Sequence, residues 1–413
     1  MQGAQSLSLR TVSSLSQISK TQWNALANPG WILENAACPI FQGGQASQDT
    51  AEFNPFVSYE FLSALEDSRC TGEETGWIPN HLLLEDGDQL LAAVPTYLKL
   101  HSQGEYVFDH AWAEAIYSAG GSYYPKVQCS VPFTPVTGPR LLIGPNIEQQ
   151  EAISLLLRGL TGLCQHTGSS SVHFTFLPKA QWHALGDLGL LKRTDQQFHW
   201  QNAKYTSFED FLKALSARKR KAIKKERKEA LSAGIEVEWL TGPELTEAHW
   251  DAFYGFYIDT GHRKWGTPYL TREFFSLLSE RMAASTLLIM AKREGRYIAG
   301  ALNMIGSKTL YGRNWGCIED HPCLHFEICY YQAIEFALSR GLQRVEAGAQ
   351  GAHKLARGYL PSTTYSAHWI EHPGLRSAVE HYLDEERNMV ERDKTVLEGH
   401  SPFKNCAPVD TSS

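Results

Sequence analysis

The chain has 413 residues and a formal net charge of −7, with 43% hydrophobic and 20% charged residues. That suits a globular protein with room for two separate cores. No stretch supplies the ~18 apolar residues of a membrane span, and residues 1–10 lack the charged start and apolar run of a leader, so the expected location is cytoplasmic.

Residues 7–12 alternate like a strand, residues 18–27 read as a helix, and residues 28–53, with Gly, Pro and Gln and little periodicity, read as an irregular insertion. Phe56, Phe61, Leu62 and Leu65 recur at helical spacing and predict one amphipathic helix over 55–67. Apolar runs at 81–85 and 89–100 flank Asp86-Gly87-Asp88 and predict a tight hairpin, with a further strand at 106–109. The Pro-rich segment 130–139 fixes several φ angles and makes a stiff connection that walls a pocket or bridges elements. Residues 151–166 and 172–176 read as helix then strand.

Residues 208–233 carry Leu212, Leu215, Ala222, Ile223 and Ala230 on one stripe, predicting a helix stopped by Gly234. Within it, residues 218–228 (RKRKAIKKERK) hold eight bases and one acid, so +7 sits here and −14 elsewhere. A second hairpin, 286–291 and 297–305 about Arg293-Glu294-Gly295, echoes the first. Asp109-His110-Ala111-Trp112 and Arg313-Asn314-Trp315 follow the two hairpins at comparable distances, and residues 326–339 and 344–347 repeat the order of helix and strand. These echoes suggest a degenerate duplication. A charged helix over 373–397 and a polar tail end the chain. The eight cysteines form no C-x-x-C pair and read as reduced thiols; Cys317, His321, Cys323, His325 and Cys329 match no zinc spacing, so no metal is expected.

Seven strings carry a family resemblance: residues 54–66 (NPFVSYEFLSALE), 104–112 (GEYVFDHAW), 123–127 (YYPKV), 131–142 (VPFTPVTGPRLL), 261–275 (GHRKWGTPYLTREFF), 311–316 (YGRNWG) and 348–361 (GAQGAHKLARGYLP). In them the chain resembles the FemAB-like N-acyltransferase family, itself similar to the FemABX aminoacyltransferases. The resemblance implies an α/β (α+β) fold of tandem GNAT-like acyltransferase domains, each a mixed, mostly antiparallel sheet flanked by helices. The expected division is a first domain at 1–202 with the insertion 28–53, a basic helical connector at 203–234, a second domain at 235–397 and a flexible tail at 398–413. His353-Lys354…Gly358-Tyr359-Leu360 resembles the Phe-Lys…Gly-Phe-Gly pattern of the aminoacyltransferases. His353 stands for its aromatic residue and Leu360 for its last glycine, which leaves the donor open.

Acyl transfer to an amine needs a neutral amine, donors for the developing oxyanion and a path for the departing proton. The expected catalytic residues are Lys354, His353 and Glu346, with His353 or Glu346 as base. On a helix Lys354 and Arg357 share a face and present positive charge; the resemblance places both at the site, with Gly358 and Tyr359. Arg313, Asn314 and Trp315 interrupt an apolar region and are expected to line a substrate cleft. Asp109, His110 and Trp112 offer a similar set in the first half, where Asp109 either orients an imidazole or caps a helix. His262, Arg263, Trp265 and Tyr269 fall where GNAT-like folds carry acceptor-contacting loops.

Arg218, Lys219, Arg220, Lys221, Lys224, Lys225, Arg227 and Lys228 repel one another, and a phosphate-bearing partner would relieve them. The expected activity moves an acyl or aminoacyl group from a CoA thioester or charged tRNA to an amine acceptor. Acyl-CoA or aminoacyl-tRNA is then a co-substrate, and no tightly bound cofactor is expected. The alternative is a non-catalytic nucleic-acid- or phosphate-binding protein that keeps the double fold.

Overall fold

The computed structural model describes residues 7–34, 37–43, 52–264, 268–348 and 351–404. Eleven strands form one mixed sheet through both halves. Their order is Ile235–Thr241, Thr286–Arg293, Arg296–Ile305, Thr309–Cys317, Arg344–Glu346, Leu191–Gln201, Leu360–Ile370, Ser171–Thr175, Lys126–Cys129, Thr96–Lys99 and Trp77–Pro79. A smaller sheet holds Leu7–Val12, His81–Asp86, Gln89–Val94 and Leu142–Ile143.

Both hairpins form, turning at Gly87 (φ +58°) and Gly295 (φ +76°), where glycine supplies the left-handed residue. The run expected at 89–100 divides at Pro95, which has no N–H for a ladder. Gln89–Val94 stays in the small sheet and Thr96–Lys99 joins the large one.

At the centre of the large sheet the two halves exchange their last strands. Leu191–Gln201 pairs with Arg344–Glu346 of the second half, and Leu360–Ile370 pairs with Ser171–Thr175 of the first. The exchanged strands also pair with each other, from Leu191 opposite His368 to His199 opposite Leu360. Apolar packing continues across the join: Phe61 of helix Tyr59–Asp67 meets Phe274 of helix Arg272–Met282 edge-on at 5.8 Å.

Four sequence expectations are corrected. The helix over 55–67 is a short turn, Pro55–Val57, followed by Tyr59–Asp67, because Ser58 is extended and caps the second element through Phe61 N–H. The helix over 208–233 splits into Phe208–Ala214 and Ala217–Ala230; Leu215 between them is buried, extended and bridged to Phe403. No strand forms at 106–109: Tyr106 is left-handed (φ +58°) and helix His110–Ser118 begins just beyond. The helix over 326–339 is Leu324–Phe326 and Gln332–Ser339 joined by a π-turn, Glu327–Tyr331. The last helix is Pro373–Glu398; of the tail, residues 405–413 lie outside the described residues. Among the described residues the cysteines are free and no helix is long and apolar enough to cross a membrane.

Helix Glu247–Lys264 lies tightly on the strand Thr309–Cys317: a Cβ at Gly316 would sit 2.3 Å from the Phe256 carbonyl oxygen. Gly316→Ala should therefore destabilise the protein by about 1–3 kcal/mol. Gly162, exposed in helix Gln149–His166 with nothing within 4 Å of its added Cβ, should instead gain up to about 1 kcal/mol as alanine. Thermal denaturation of the two variants reads the opposite signs.

Candidate active site

The strands Thr309–Cys317 and Arg344–Glu346 run parallel and pair only as far as Tyr311 with Glu346. Beyond that pair Gly348 (φ +77°) belongs to a departing loop, while Thr309–Cys317 runs on beside Arg296–Ile305. There Asn314 pairs with Leu302 and Gly312 with Asn303, so Arg313 is the extra residue of a bulge. Arg313 and Asn314 line a narrow aromatic cleft between the halves, with Tyr106, Phe133, Tyr257 and Tyr269 among its walls and a cavity volume of about 30 Å³. Phe133 and Tyr269 stack at 4.8 Å, and Arg313 Nη2 donates to the Phe133 carbonyl at 2.5 Å. The Pro-rich segment, through Pro132, Phe133 and Thr134, is thus a wall of the cleft.

Glu346 stands where the strands part and is 4% exposed. Its Oε1 lies 3.2 Å from Arg344 Nε; its Oε2 accepts no hydrogen bond among the described residues and is 3.9 Å from His199 Nε2. Burial pushes the Glu346 carboxyl up to about 7 against the pull of Arg344 and Arg313. Burial also holds His199 down to about 3, helped by the charges of Arg344 and Lys354, so this imidazole is neutral and adds little to the ionisation of Glu346. His199 comes from the exchanged strand, directly opposite Glu346.

Lys354 and Arg357 lie on a 3-10 turn, Ala352–Arg357, rather than an α-helix, and are 2% and 7% exposed. Lys354 Nζ donates to the Gly348 carbonyl at 3.0 Å, and burial pulls its ammonium down to about 8. Arg357 stacks 3.4 Å from the Phe326 ring centre and donates to Glu226 at 3.0 Å and to the His353 carbonyl at 2.8 Å. His353, on the exposed side, meets the Tyr330 hydroxyl at 2.9 Å; burial and the two neighbouring cations lower its pKa. Ring contacts continue through His325 to Trp315 at 5.2 Å. Gly358 closes the turn at φ +91°, where a Cβ would meet the Phe211 ring at 2.8 Å, and Tyr359 is buried with its hydroxyl on the Tyr330 carbonyl.

Helix Ala217–Ala230 runs beside this turn. Arg227 is bound to Glu327 and Glu335, and Lys224 to Glu209. Arg218, Lys219, Arg220, Lys221, Lys225 and Lys228 form no ion pair among the described residues.

The other expected residues lie apart. His262 is exposed and Arg263 holds Asp259 and the Cys317 carbonyl, both in the last turn of helix Glu247–Lys264 rather than in a loop; Trp265 lies outside the described residues. His110 is exposed and Trp112 is buried against His368 at 5.0 Å. Asp109 neither orients His110 nor caps helix His110–Ser118 with its side chain. Its carboxylate accepts from Tyr123 at 2.7 Å and from Lys126 at 2.5 Å, and Lys126 also reaches Glu105 at 2.7 Å. Burial alone would raise Asp109, yet Lys126 holds it below the ordinary carboxylate range, while burial carries Glu105 up to about 7. Sequence spacing gave no sign of His199, Arg344, Tyr106 or Tyr257, which reach the site only through tertiary pairing.

Two α/β halves built on a shared mixed sheet make this a tandem GNAT-like fold. The chain belongs to the FemAB-like family, described by peptidoglycan biosynthesis and recognition, which matches residues 14–405. Membership supports an acyltransferase-type function. Among solved structures, FemX is similar with a TM-score of 0.51 and 11% identity, over 88% of this chain and 98% of FemX. A tandem GNAT protein from the clavulanic acid biosynthesis pathway gives 0.46 and 10%, over 89% and 99% of the two chains. L-PGS from Bacillus licheniformis gives 0.48 and 10%, over 80% and 98%. At such identities the likeness is one of fold. No curated protein matches.

Removing Lys126 leaves Glu105 and Asp109 buried without their principal counter-charge. Lys126→Ala is expected to lose about 3–5 kcal/mol of stability, read by urea denaturation.

Proposed function

We propose that the protein moves an acyl or aminoacyl group from a CoA thioester or a charged tRNA to an amine acceptor, at the opening beside Glu346. The observation that carries this reading is a buried carboxyl whose pKa is raised to about 7, with one oxygen free of hydrogen bonds among the described residues, where two strands part near the narrow cleft lined by Arg313 and Asn314. As the amine attacks the donor carbonyl its proton must leave, and a base with a pKa near the working pH takes it best. The strand edge unpaired beyond Tyr311 offers N–H groups to the developing oxyanion, and Asn314 an amide. Lys354, Arg357 and the neighbouring basic helix supply positive charge for the phosphates that either donor carries. Tyr269 is the acceptor-loop residue that reaches the cleft.

A second reading, phosphate or nucleic-acid binding without turnover, draws on the unpaired cations of helix Ala217–Ala230. It expects RNA to stabilise the protein, Lys221→Glu with Lys225→Glu to abolish that stabilisation, and no acylated amine to form from either donor.

The transferase reading expects kcat/KM to rise as pH passes through about 7, because the base works only when deprotonated. Glu346→Gln should lower kcat/KM by about 10²–10⁴ and flatten that limb; a profile unchanged in the variant rejects Glu346 as base. Lys354→Met should keep the thermal transition and lose roughly 10- to 100-fold in kcat/KM, the worth of one charge-assisted contact. Unchanged turnover rejects its role.

A further inference from the structure

Arg313, half-buried, stands out among the charges enclosed by this fold. Arg140, which is buried, donates to the carbonyls of Thr175, Gly138, Pro139 and Val136. Arg313 has the same five N–H donors, yet among the described residues it makes one hydrogen bond, to the Phe133 carbonyl, and no ion pair. The one carboxylate whose charge acts on it, Glu346, is engaged by Arg344 at 3.2 Å. Its guanidinium lies over the Phe56 ring at 5.7 Å, in a wall that is otherwise aromatic and aliphatic.

Other donors converge there. Asn314 lines the same cleft and its side-chain amide makes no hydrogen bond among the described residues. The Tyr257 hydroxyl accepts from the N–H groups of Tyr269 and Leu270 at 3.0 and 3.1 Å, which leaves its own O–H to donate. Tyr106 lies within the electrostatic reach of both Arg313 and Tyr257. A half-buried cation in an apolar cleft, ringed by idle donors, is complementary to an anion that arrives with the ligand. Arg313 is the sole charged residue of the lining, which suits a singly charged, planar group better than a phosphate.

We propose that the acceptor is an amino carboxylate with an apolar or aromatic body, whose carboxylate docks on Arg313, Asn314 and Tyr257 while its amine faces Glu346. The product is then an N-acyl amino acid or an N-acylated chain end of that type. The C–N bond forms as the carbonyl–sulfur or carbonyl–oxygen ester bond of the donor breaks. The amine proton passes to Glu346 and then to the departing thiolate or ribose oxygen. This inference rests on the acyl-transfer reading for its amine and on the cleft alone for its carboxylate.

The test uses the full-length protein and two neutral-amide product mimics, N-acetyl-L-phenylalanine and N-acetyl-L-phenylalaninamide, compared by calorimetry. The acid should bind about 10- to 100-fold tighter than the amide, the worth of a charge-assisted hydrogen bond, and Arg313→Gln should erase the difference. If Arg313→Gln does not fold, Arg313→Lys, which keeps the charge and loses the fork, should narrow it. Equal binding of acid and amide, or binding of neither, overturns the proposal, as does an undiminished preference in the folded variant. Phenylalanine and 2-phenylethylamine offered as acceptors separate the two readings. If both amines are acylated equally, the carboxylate site falls and the transferase stands. If the acid is preferred in binding but no amine is acylated, the transferase falls and the site stands.

Discussion

The exchange of the last strands is the constraint on which the rest of the molecule depends. Leu191–Gln201 fills the place between Arg344–Glu346 and Leu360–Ile370, so the facing backbone groups of two segments of the second half are satisfied by one strand of the first. That placement brings His199 opposite Glu346. It also fixes both ends of the segment that carries Lys354 and Arg357, which is strung between the two strands flanking Leu191–Gln201. Sliding the pairing by one residue would turn His199 away from Glu346 and toward the other face of the sheet.

The buried charges divide into two kinds. Lys126 between Glu105 and Asp109, Arg227 between Glu327 and Glu335, and Arg140 among backbone carbonyls have their partners within the fold. Arg313 differs in having no ion pair among the described residues, while Glu346 has Arg344 beside one oxygen and no hydrogen bond on the other, as Glu105 Oε1 and Asp109 Oδ1 also have none. A folded chain tolerates few such groups. Glu346 closes one of the two parallel pairings of the large sheet, the other being Ser171–Thr175 with Lys126–Cys129, and Arg313 lies two residues beyond Tyr311, the partner of Glu346.

Much of the fold was legible because it rests on local chemistry. The Asp-Gly-Asp and Arg-Glu-Gly turns announced their hairpins, and the helices at 20–27, 149–166 and 373–398 stand close to where the sequence put them, whereas those at 110–118 and 179–187 were not read. Boundaries failed where tertiary demand overrode pattern: the burial of Leu215 against Phe403 broke a basic helix that looked continuous, and Ser58 capped a helix inside another. Residues 191–201 and 360–370 carry no clean period-2 alternation and were not read as strands, so the exchange could not be read. The site divided in the same way. Of the residues singled out by chemistry and resemblance, Arg313 and Asn314 line the cleft, and Glu346 ends the strand beside it. Asp109 and His110 looked equally suitable, but the carboxylate belongs to Lys126 and Tyr123 and the imidazole faces solvent. His199 and Tyr257 look unremarkable in sequence, since only the sheet and the packed helix carry them to the cleft.

The crossing of strands also bears on how the molecule is made. A ribosome releases Ser171–Thr175 and Leu191–Gln201 long before Leu360–Ile370, the segment that pairs with both. Until then the nascent first half holds one sheet edge without its neighbour and an eleven-residue strand without either flank. Bare edges of this kind invite pairing with other chains. The sheet therefore acquires its finished middle only once residues 360–370 have been translated, and its two halves mature as one event rather than in turn.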